Sequence, residues 1–328
     1  MQAVVFERYG VPDVLQVRRR PRPEPRPAEI LVRIGATTVT PSDVMLRSGK
    51  FPAVFWVPAR ILYGVTKPRM IIPGYEFSGE VEAVGASVRR FRPGDQVFGA
   101  SMWKMSCCAE YICLPETGAL APKPSGLTQR EAVALVDGPC TALHFLRKAG
   151  VRQGHHVLVY GAAGAVGSAA VQLARHLGAV VTGVCSTSKI ELVRGLGAHK
   201  VIDYTTRNLS QAGSRYDVIF DAVGRAPLVQ CVRALNPRGV YLSTNLGLRD
   251  QARGIWLGWA TGTRIAGGLS TASADKLHSI ARLVEQGVLR PVIDRVYPLA
   301  DVVQAHRYVA EGRKRGSVVI DVSPAGSP

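Results

Sequence analysis

Between Val157 and Gly178 the chain reads VLVYGAAGAVGSAAVQLARHLG. The apolar, β-branched run Val157, Leu158, Val159 predicts a buried strand. Small residues follow from Gly161 to Gly167, and then Val166, Ala170, Leu173 and Leu177 recur at helical spacing. Strand, glycine turn and helix in succession is the pattern from which the rest of the second half is read. Strands are predicted at 180–184, 200–202, 217–221 and 239–243, with helices at 188–195 and 226–235 between them. Such alternation implies a parallel sheet wrapped by helices. Before it, Thr128 with Glu131 three residues on forms a capping box for a helix to about Leu135, and another helix is predicted over 141–149. After it, Leu277, Ile280, Ala281 and Val284 mark an amphipathic helix over 274–286. A short strand, a helix near 301–311 and the strand 318–322 close the chain.

The first third has a different pattern. Leu31, Val32 and Ile34 follow a proline-rich stretch and read as a strand. Residues 36–50, ATTVTPSDVMLRSGK, read as a loop into a short helix that Ser42 or Asp43 caps. Residues 51–64 are apolar and broken by prolines, which fits either a core-packing loop or an apolar rim over a pocket. From 71 to 122 alternating strands are punctuated by glycines, with a turn at Pro93-Gly94-Asp95. The segment 245–270, rich in glycine and carrying Trp256 and Trp259, gives no clear period. The shift in pattern near residue 125 divides the chain into 1–124, 125–270 and a return segment 271–328.

Composition changes this picture little. The chain has 328 residues, enough for about two domains. No run of about 18 apolar residues predicts a membrane span, and MQAVVFERYG reads as a strand rather than a signal peptide. Six scattered cysteines do not form a disulfide framework, which points to a reducing, cytoplasmic setting. The formal net charge of +17 raises nucleic acid as a partner, but no helix-turn-helix, RNP or zinc-finger pattern accompanies it. The arginines are spread along the chain, with clusters only at Arg18–Arg22 and Arg313–Arg315.

The candidate chemistry lies in the turn. Gly161, Ala163, Gly164, Ala165, Val166 and Gly167 let a pyrophosphate approach the backbone at a helix N-terminus, although the spacing is G-x-x-G-x-x-G rather than G-x-G-x-x-G. The next strand carries no acid before Glu191 to hold a ribose hydroxyl. Ser186 and Lys189 stand there instead and suit a 2′-phosphate, so NADPH is the expected cofactor.

Several motifs together carry a family resemblance: AVVFERYGVPDVLQV, TVTPSDVMLRSG, IPGYEFSGEVEAVG, RPGDQVFG, GAAGAVGSAAVQLAR, VIDY, YDVIFDAVG and the tail from Gly287. Through nearly its whole length the chain resembles the zinc-free quinone-oxidoreductase branch of the medium-chain dehydrogenase/reductase superfamily. The resemblance implies a Rossmann doubly wound parallel sheet inserted in a GroES-like β-rich catalytic domain. It adds Tyr204, Val223, Gly224, Leu246, Arg313, Lys314 and Arg315 to the cofactor contacts. It implies hydride transfer to a quinone or an α,β-unsaturated carbonyl, a homodimer through the 255–269 segment, and no membrane partner. Zinc relatives place a cysteine at 42–43 and a histidine after Gly74; here Ser42-Asp43 and Tyr75 stand there, and no metal is expected. Thr40, Ser42 and Tyr75 are then the candidate donors to a developing oxyanion, with Thr40 and Tyr75 foremost. Thr40 replaces the usual asparagine, and Phe51 replaces a tyrosine. Those two departures leave a second reading: a catalytically weak NADPH-binding relative acting through RNA or protein contacts.

Overall fold

The computed structural model describes residues 1–51, 56–69, 71–101, 104–206 and 214–322. The chain begins with β1 (Gln2–Val5), β2 (Gln16–Arg19), β3 (Glu29–Val39), α1 (Pro41–Ser48), α2 (Trp56–Tyr63), β4 (Glu76–Val84), β5 (Gln96–Ala100), β6 (Tyr111–Pro115), β7 (Ala119–Pro122) and α3 (Gln129–Val133). It continues through α4 (Asp137–Ala149), β8 (His156–Tyr160), α5 (Ala165–His176), β9 (Val180–Cys185), α6 (Ile190–Gly195), β10 (Lys200–Asp203), β11 (Tyr216–Asp221), α7 (Leu228–Arg233), β12 (Leu235–Ser243), α8 (Leu248–Thr261) and β13 (Arg264–Gly267). It closes with α9 (Ala274–Glu285), β14 (Ile293–Pro298), α10 (Val302–Ala310) and β15 (Ser317–Asp321). Two compact units result: Met1–Asp137 with Ala272–Glu285 and Pro291–Pro328, and Gly138–Thr271 with Gln286–Arg290.

The first unit is built on a mostly antiparallel sheet in the order β14-β15-β3-β4-β5-β7, with β6 also paired to β3. Phe6, Ile30, Val32, Phe77, Val81, Val97 and Ile320 fill its core. Strand β3 runs through 36–39, which the sequence reads as loop. Distant partners extend it: Ala36–Val39 pair with β15, and the buried Thr37 hydroxyl donates to the Glu76 carbonyl at 2.6 Å. The cap of α1 is Thr40, neither Ser42 nor Asp43. Asp43 is the third helical residue and completes a capping box with Thr40. Of the 51–64 stretch, residues 52–55 lie outside the described residues, and the remainder is largely helix α2 rather than loop.

The second unit is a six-stranded parallel sheet in the order β10-β9-β8-β11-β12-β13. This is the doubly wound arrangement, with the strand order reversing between β8 and β11. Val157, Leu158 and Val159 of β8 are fully buried; each such side chain stabilises by roughly 1.5–3 kcal/mol. Leu158, Ile219, Cys231 and Tyr241 form one face of the core. Helix α4 begins four residues before the sequence expectation, α7 is shorter than expected, and the unassigned 245–270 stretch holds α8 and β13.

Candidate active site

The second unit gathers the expected cofactor residues other than Arg313, Lys314 and Arg315 at the carboxyl ends of its parallel strands, where the strand order reverses. The chain leaves β8 through Gly161 at φ +76, and the Gly161 and Ala162 N–H groups both donate to the Val184 carbonyl at 3.0 Å. These bonds tie the turn to β9. Gly164 is the N-cap of α5, and no side chain caps the helix. The N–H groups of its first turn, from Ala165 to Gly167, therefore belong to the set that has no intrahelical partner. A Cβ on Gly167 would lie 2.1 Å from the Gly161 carbonyl oxygen, so only glycine lets the helix start this close to the turn. Ala163 and Gly167 are buried, whereas Gly164, Ala165 and Val166 keep an open side. The arrangement fits a pyrophosphate.

Across the switch point, a Cβ on Gly161 would meet Val223 Cγ1 at 2.6 Å, which brings the turns after β8 and β11 together. The turn after β11 is held by Asp221, which sequence reading overlooked. Its buried carboxylate accepts from the N–H groups of Val223 (3.1 Å), Gly224 (2.9 Å) and Ala226 (2.9 Å) and from the Tyr241 hydroxyl (3.2 Å). Burial and the Asp221 charge push the Tyr241 phenol well above its ordinary range. Leu246, after β12, packs on the same core.

Ser186 precedes and Lys189 ends a short 3-10 turn after β9. Tyr204 follows β10 and stacks on Tyr160 with ring centroids 6.3 Å apart. Between them stands an acid that the search along β9 missed. Asp203 pairs in register with Cys185 and accepts from the hydroxyls of Thr187 and Thr205. Those two hydrogen bonds hold its carboxyl below the usual carboxylate range. The Cys185 thiol, pushed up to about 11 by burial and by Asp203, is drawn down by Lys189, so both charges reach it. Arg313, Lys314 and Arg315 belong to the first unit, between α10 and β15. The Arg315 N–H donates to Asp294 at 2.8 Å and the Lys314 ammonium to the Gly316 carbonyl at 2.6 Å.

In the first unit, α1 and β4 place Thr40, Asp43, Tyr75 and Glu76 near Gly74. The Thr40 hydroxyl donates to Asp43 Oδ2 at 2.6 Å, and the Thr40 N–H reaches the same oxygen at 2.8 Å. Asp43 Oδ1 accepts from the Gly74 N–H at 3.2 Å. Both Asp43 oxygens are thus engaged, and burial still raises its carboxyl against these hydrogen bonds. Gly74 has φ +98, and a Cβ there would meet the Cys108 nitrogen at 2.6 Å. Tyr75 is half-buried, and its hydroxyl accepts from the Ala272 N–H at 3.4 Å. Glu76 is buried; one oxygen accepts from the Asp137 N–H at 2.8 Å and the other from the Thr38 hydroxyl. Burial, together with the charges of Asp137 and Asp43, pushes its carboxyl up to about 8. Phe51 is buried and stacks on Tyr63, with centroids 5.8 Å apart. The six cysteines are buried free thiols, and among the described residues no group of three or more His, Cys, Asp or Glu is placed to hold a metal ion.

Comparison with known proteins places both units. Residues 26–134 match the alcohol dehydrogenase GroES-like domain, and residues 196–320 match the zinc-binding dehydrogenase family. A 2-methylene-furan-3-one reductase of Solanum lycopersicum is 32% identical over 99% of this chain and 80% of its own length. A quinone oxidoreductase of Pseudomonas aeruginosa is 31% identical over 97% of this chain and 98% of its own. The solved structure of the quinone oxidoreductase from Coxiella burnetii superposes with a TM-score of 0.88 at 30% identity, covering 98% of this chain and 99% of that one.

Proposed function

Since the chain belongs to the medium-chain dehydrogenase/reductase superfamily as an NAD(P)H oxidoreductase related to quinone and enone reductases, we propose that it reduces quinones or α,β-unsaturated carbonyls with NADPH and without zinc. The observation that carries the reading is the uncapped glycine turn entering α5, at the carboxyl end of β8, with a hydroxyl and a lysine rather than an acid at the end of β9. When bound, the cofactor supplies a hydride to the acceptor carbon. The chain's part is to bind and orient. The first-turn N–H groups of α5 hold the pyrophosphate, and Ser186 and Lys189 receive the 2′-phosphate. Gly161, Val223, Gly224, Leu246 and Tyr204 line the approach to the strand ends.

Zinc is left out on the chemistry of the donors. At the positions where zinc relatives carry ligands stand a serine, a tyrosine and Asp43, whose two oxygens are already bonded to Thr40 and Gly74. Neutral hydroxyls are not zinc ligands of the usual kind. A phenol then takes the polarising role, and Tyr75 is the better donor to the acceptor oxygen, since the Thr40 proton goes to Asp43. That same bond, with the missing hydroxyl at Phe51, favours the second reading of a weakly active cofactor-binding protein. Turnover of the parent with NADPH on a panel of quinones and enones separates the two, and Tyr75→Phe on the best acceptor tests the donor. A drop of about 10²-fold in kcat with unchanged cofactor affinity supports the donor role; an unchanged kcat removes it.

A homodimer accompanies this reading. Strand β13 is an edge of its sheet, and Ile255, Trp256, Trp259 and Leu269 beside it are exposed, Trp259 at 90%. A second copy pairing there would cover both the edge and the apolar side chains. Ile265 takes no part, because it packs inward beneath α8. Light scattering giving a dimer at micromolar concentration agrees, and a monomer contradicts it.

A further inference from the structure

Helix α2 stands apart from the residues used so far. Its inner side is fixed to the first unit. Ala59 joins the core, Tyr63 stacks on Phe51, and the Tyr9 hydroxyl donates to the carbonyls of Tyr63 (3.0 Å) and Gly64 (2.8 Å). The Arg60 guanidinium lies over the Tyr9 ring at 4.4 Å and over Trp56 at 5.5 Å, and it donates to the Val65 carbonyl at 3.1 Å. The outer side is apolar. Val57 and Ile61, one turn apart, are 58% and 61% exposed, Trp56 and Leu62 are exposed beside them, and Val65 just beyond the helix is 63% exposed. Lys50 before the helix and Lys67 and Arg69 after it are exposed cations, and α2 itself carries no acid.

A helix that turns branched aliphatic side chains and a tryptophan to solvent, with a lysine and an arginine following it, has the chemistry of an interfacial anchor. The apolar face enters the acyl boundary while lysine and arginine meet anionic headgroups. The charge of the whole chain, +17, favours the same surface. We infer that α2 is a docking surface for an anionic lipid bilayer, held by apolar insertion and by headgroup attraction together. No helix among the described residues is long and apolar enough to span a membrane, and this contact lies in the interface plane. The inference stands against the expectation from sequence of no membrane partner. It does not rest on the reductase reading, because it is measured without turnover.

The test is co-sedimentation of the intact protein with vesicles. Phosphatidylcholine vesicles containing about a third phosphatidylglycerol should bind it at least about tenfold more tightly than pure phosphatidylcholine. Raising salt from about 50 to about 500 mM should weaken that binding by a similar factor. Ile61→Glu combined with Leu62→Glu should lose it about tenfold or more, and so should Lys67→Glu combined with Arg69→Glu. Val11→Glu combined with Val296→Glu, at exposed apolar positions elsewhere in the same unit, should leave it intact. All three variants change exposed side chains and should unfold at the parent's temperature. The inference is overturned if the parent ignores anionic vesicles, if it binds neutral ones equally, or if both α2 variants bind like the parent. It is also overturned if the α2 variants change the oligomeric state of a parent that does not bind vesicles, for then the face joins two copies of this chain.

Discussion

Replacing Glu76 by glutamine tests the electrostatics of the first unit. The Glu76 carboxyl is pushed from an ordinary 4.5 up to about 8 by burial and by the neighbouring charges of Asp137 and Asp43. The folded state therefore binds a proton that the unfolded state releases. For a group raised in this way, the stability it contributes is complete below pH 4.5 and is lost progressively as pH rises to about 8. At about 1.4 kcal/mol per unit, the full shift corresponds to on the order of 5 kcal/mol, and relaxation around the buried charge reduces what is observed to about 2 kcal/mol or more. Glutamine keeps an oxygen for the Asp137 N–H, places an amide beside the Thr38 hydroxyl, and never ionises. Urea unfolding of parent and Glu76→Gln should give nearly equal stabilities at pH 5. At pH 8.5 the variant should be more stable by about 2 kcal/mol or more. Stability curves that stay parallel across that window would refute the reasoning, because Glu76 would then carry its charge in the fold at no cost.

Gly167→Ala should weaken cofactor binding by about tenfold or more and destabilise the fold by about 1–3 kcal/mol, since its Cβ would lie 2.1 Å from the Gly161 carbonyl; calorimetric titration and urea unfolding read the two effects. Asp203→Asn should raise NADPH affinity severalfold and leave NADH affinity equal or lower, because it removes a carboxylate beside the expected 2′-phosphate site; fluorescence titration of both cofactors checks it. His306 is fully buried with neither ring nitrogen partnered, and burial beside Arg47 lowers it from 6.5 to about 3. Its depressed value means that the fold loses stability as pH falls from 6.5 towards 3, so His306→Leu should flatten that acid limb and add about 1 kcal/mol near neutrality in urea unfolding.

What the sequence discloses depends on whether a residue's reason for its place is local. Strand β8 and helix α5 each carry a complete apolar period, and the capping box at Thr128 and Glu131 spans four consecutive residues, so both are legible. Helix α8 is not, because Ile255, Trp256 and Trp259 face outward and blur the stripe that marks a buried face. The continuation of β3 through 36–39 depends on β15, at the far end of the chain. Thr40, Ser42 and Asp43 are all able to cap α1, and only the bonds to Gly74 and between Thr40 and Asp43 select among them. Asp203 is not legible along β9, because only the folded sheet sets the end of β10 beside the end of β9. Asp221 lies in a motif that was recognised, but its three N–H partners are visible only once the turn is folded.

The proposed reaction is hydride transfer from NADPH to a quinone or enone without a metal. Steady-state oxidation of NADPH and of NADH, with the protein dialysed against a chelator and offered a panel of p-quinones and enones, tests it most directly. Saturable turnover that survives the chelator is expected, with a kcat/KM for NADPH about tenfold or more above that for NADH, the 2′-phosphate contacts being worth on the order of 1.5–3 kcal/mol. Absence of turnover with both cofactors, equal use of NADH, or activity that returns only when zinc is restored would contradict it.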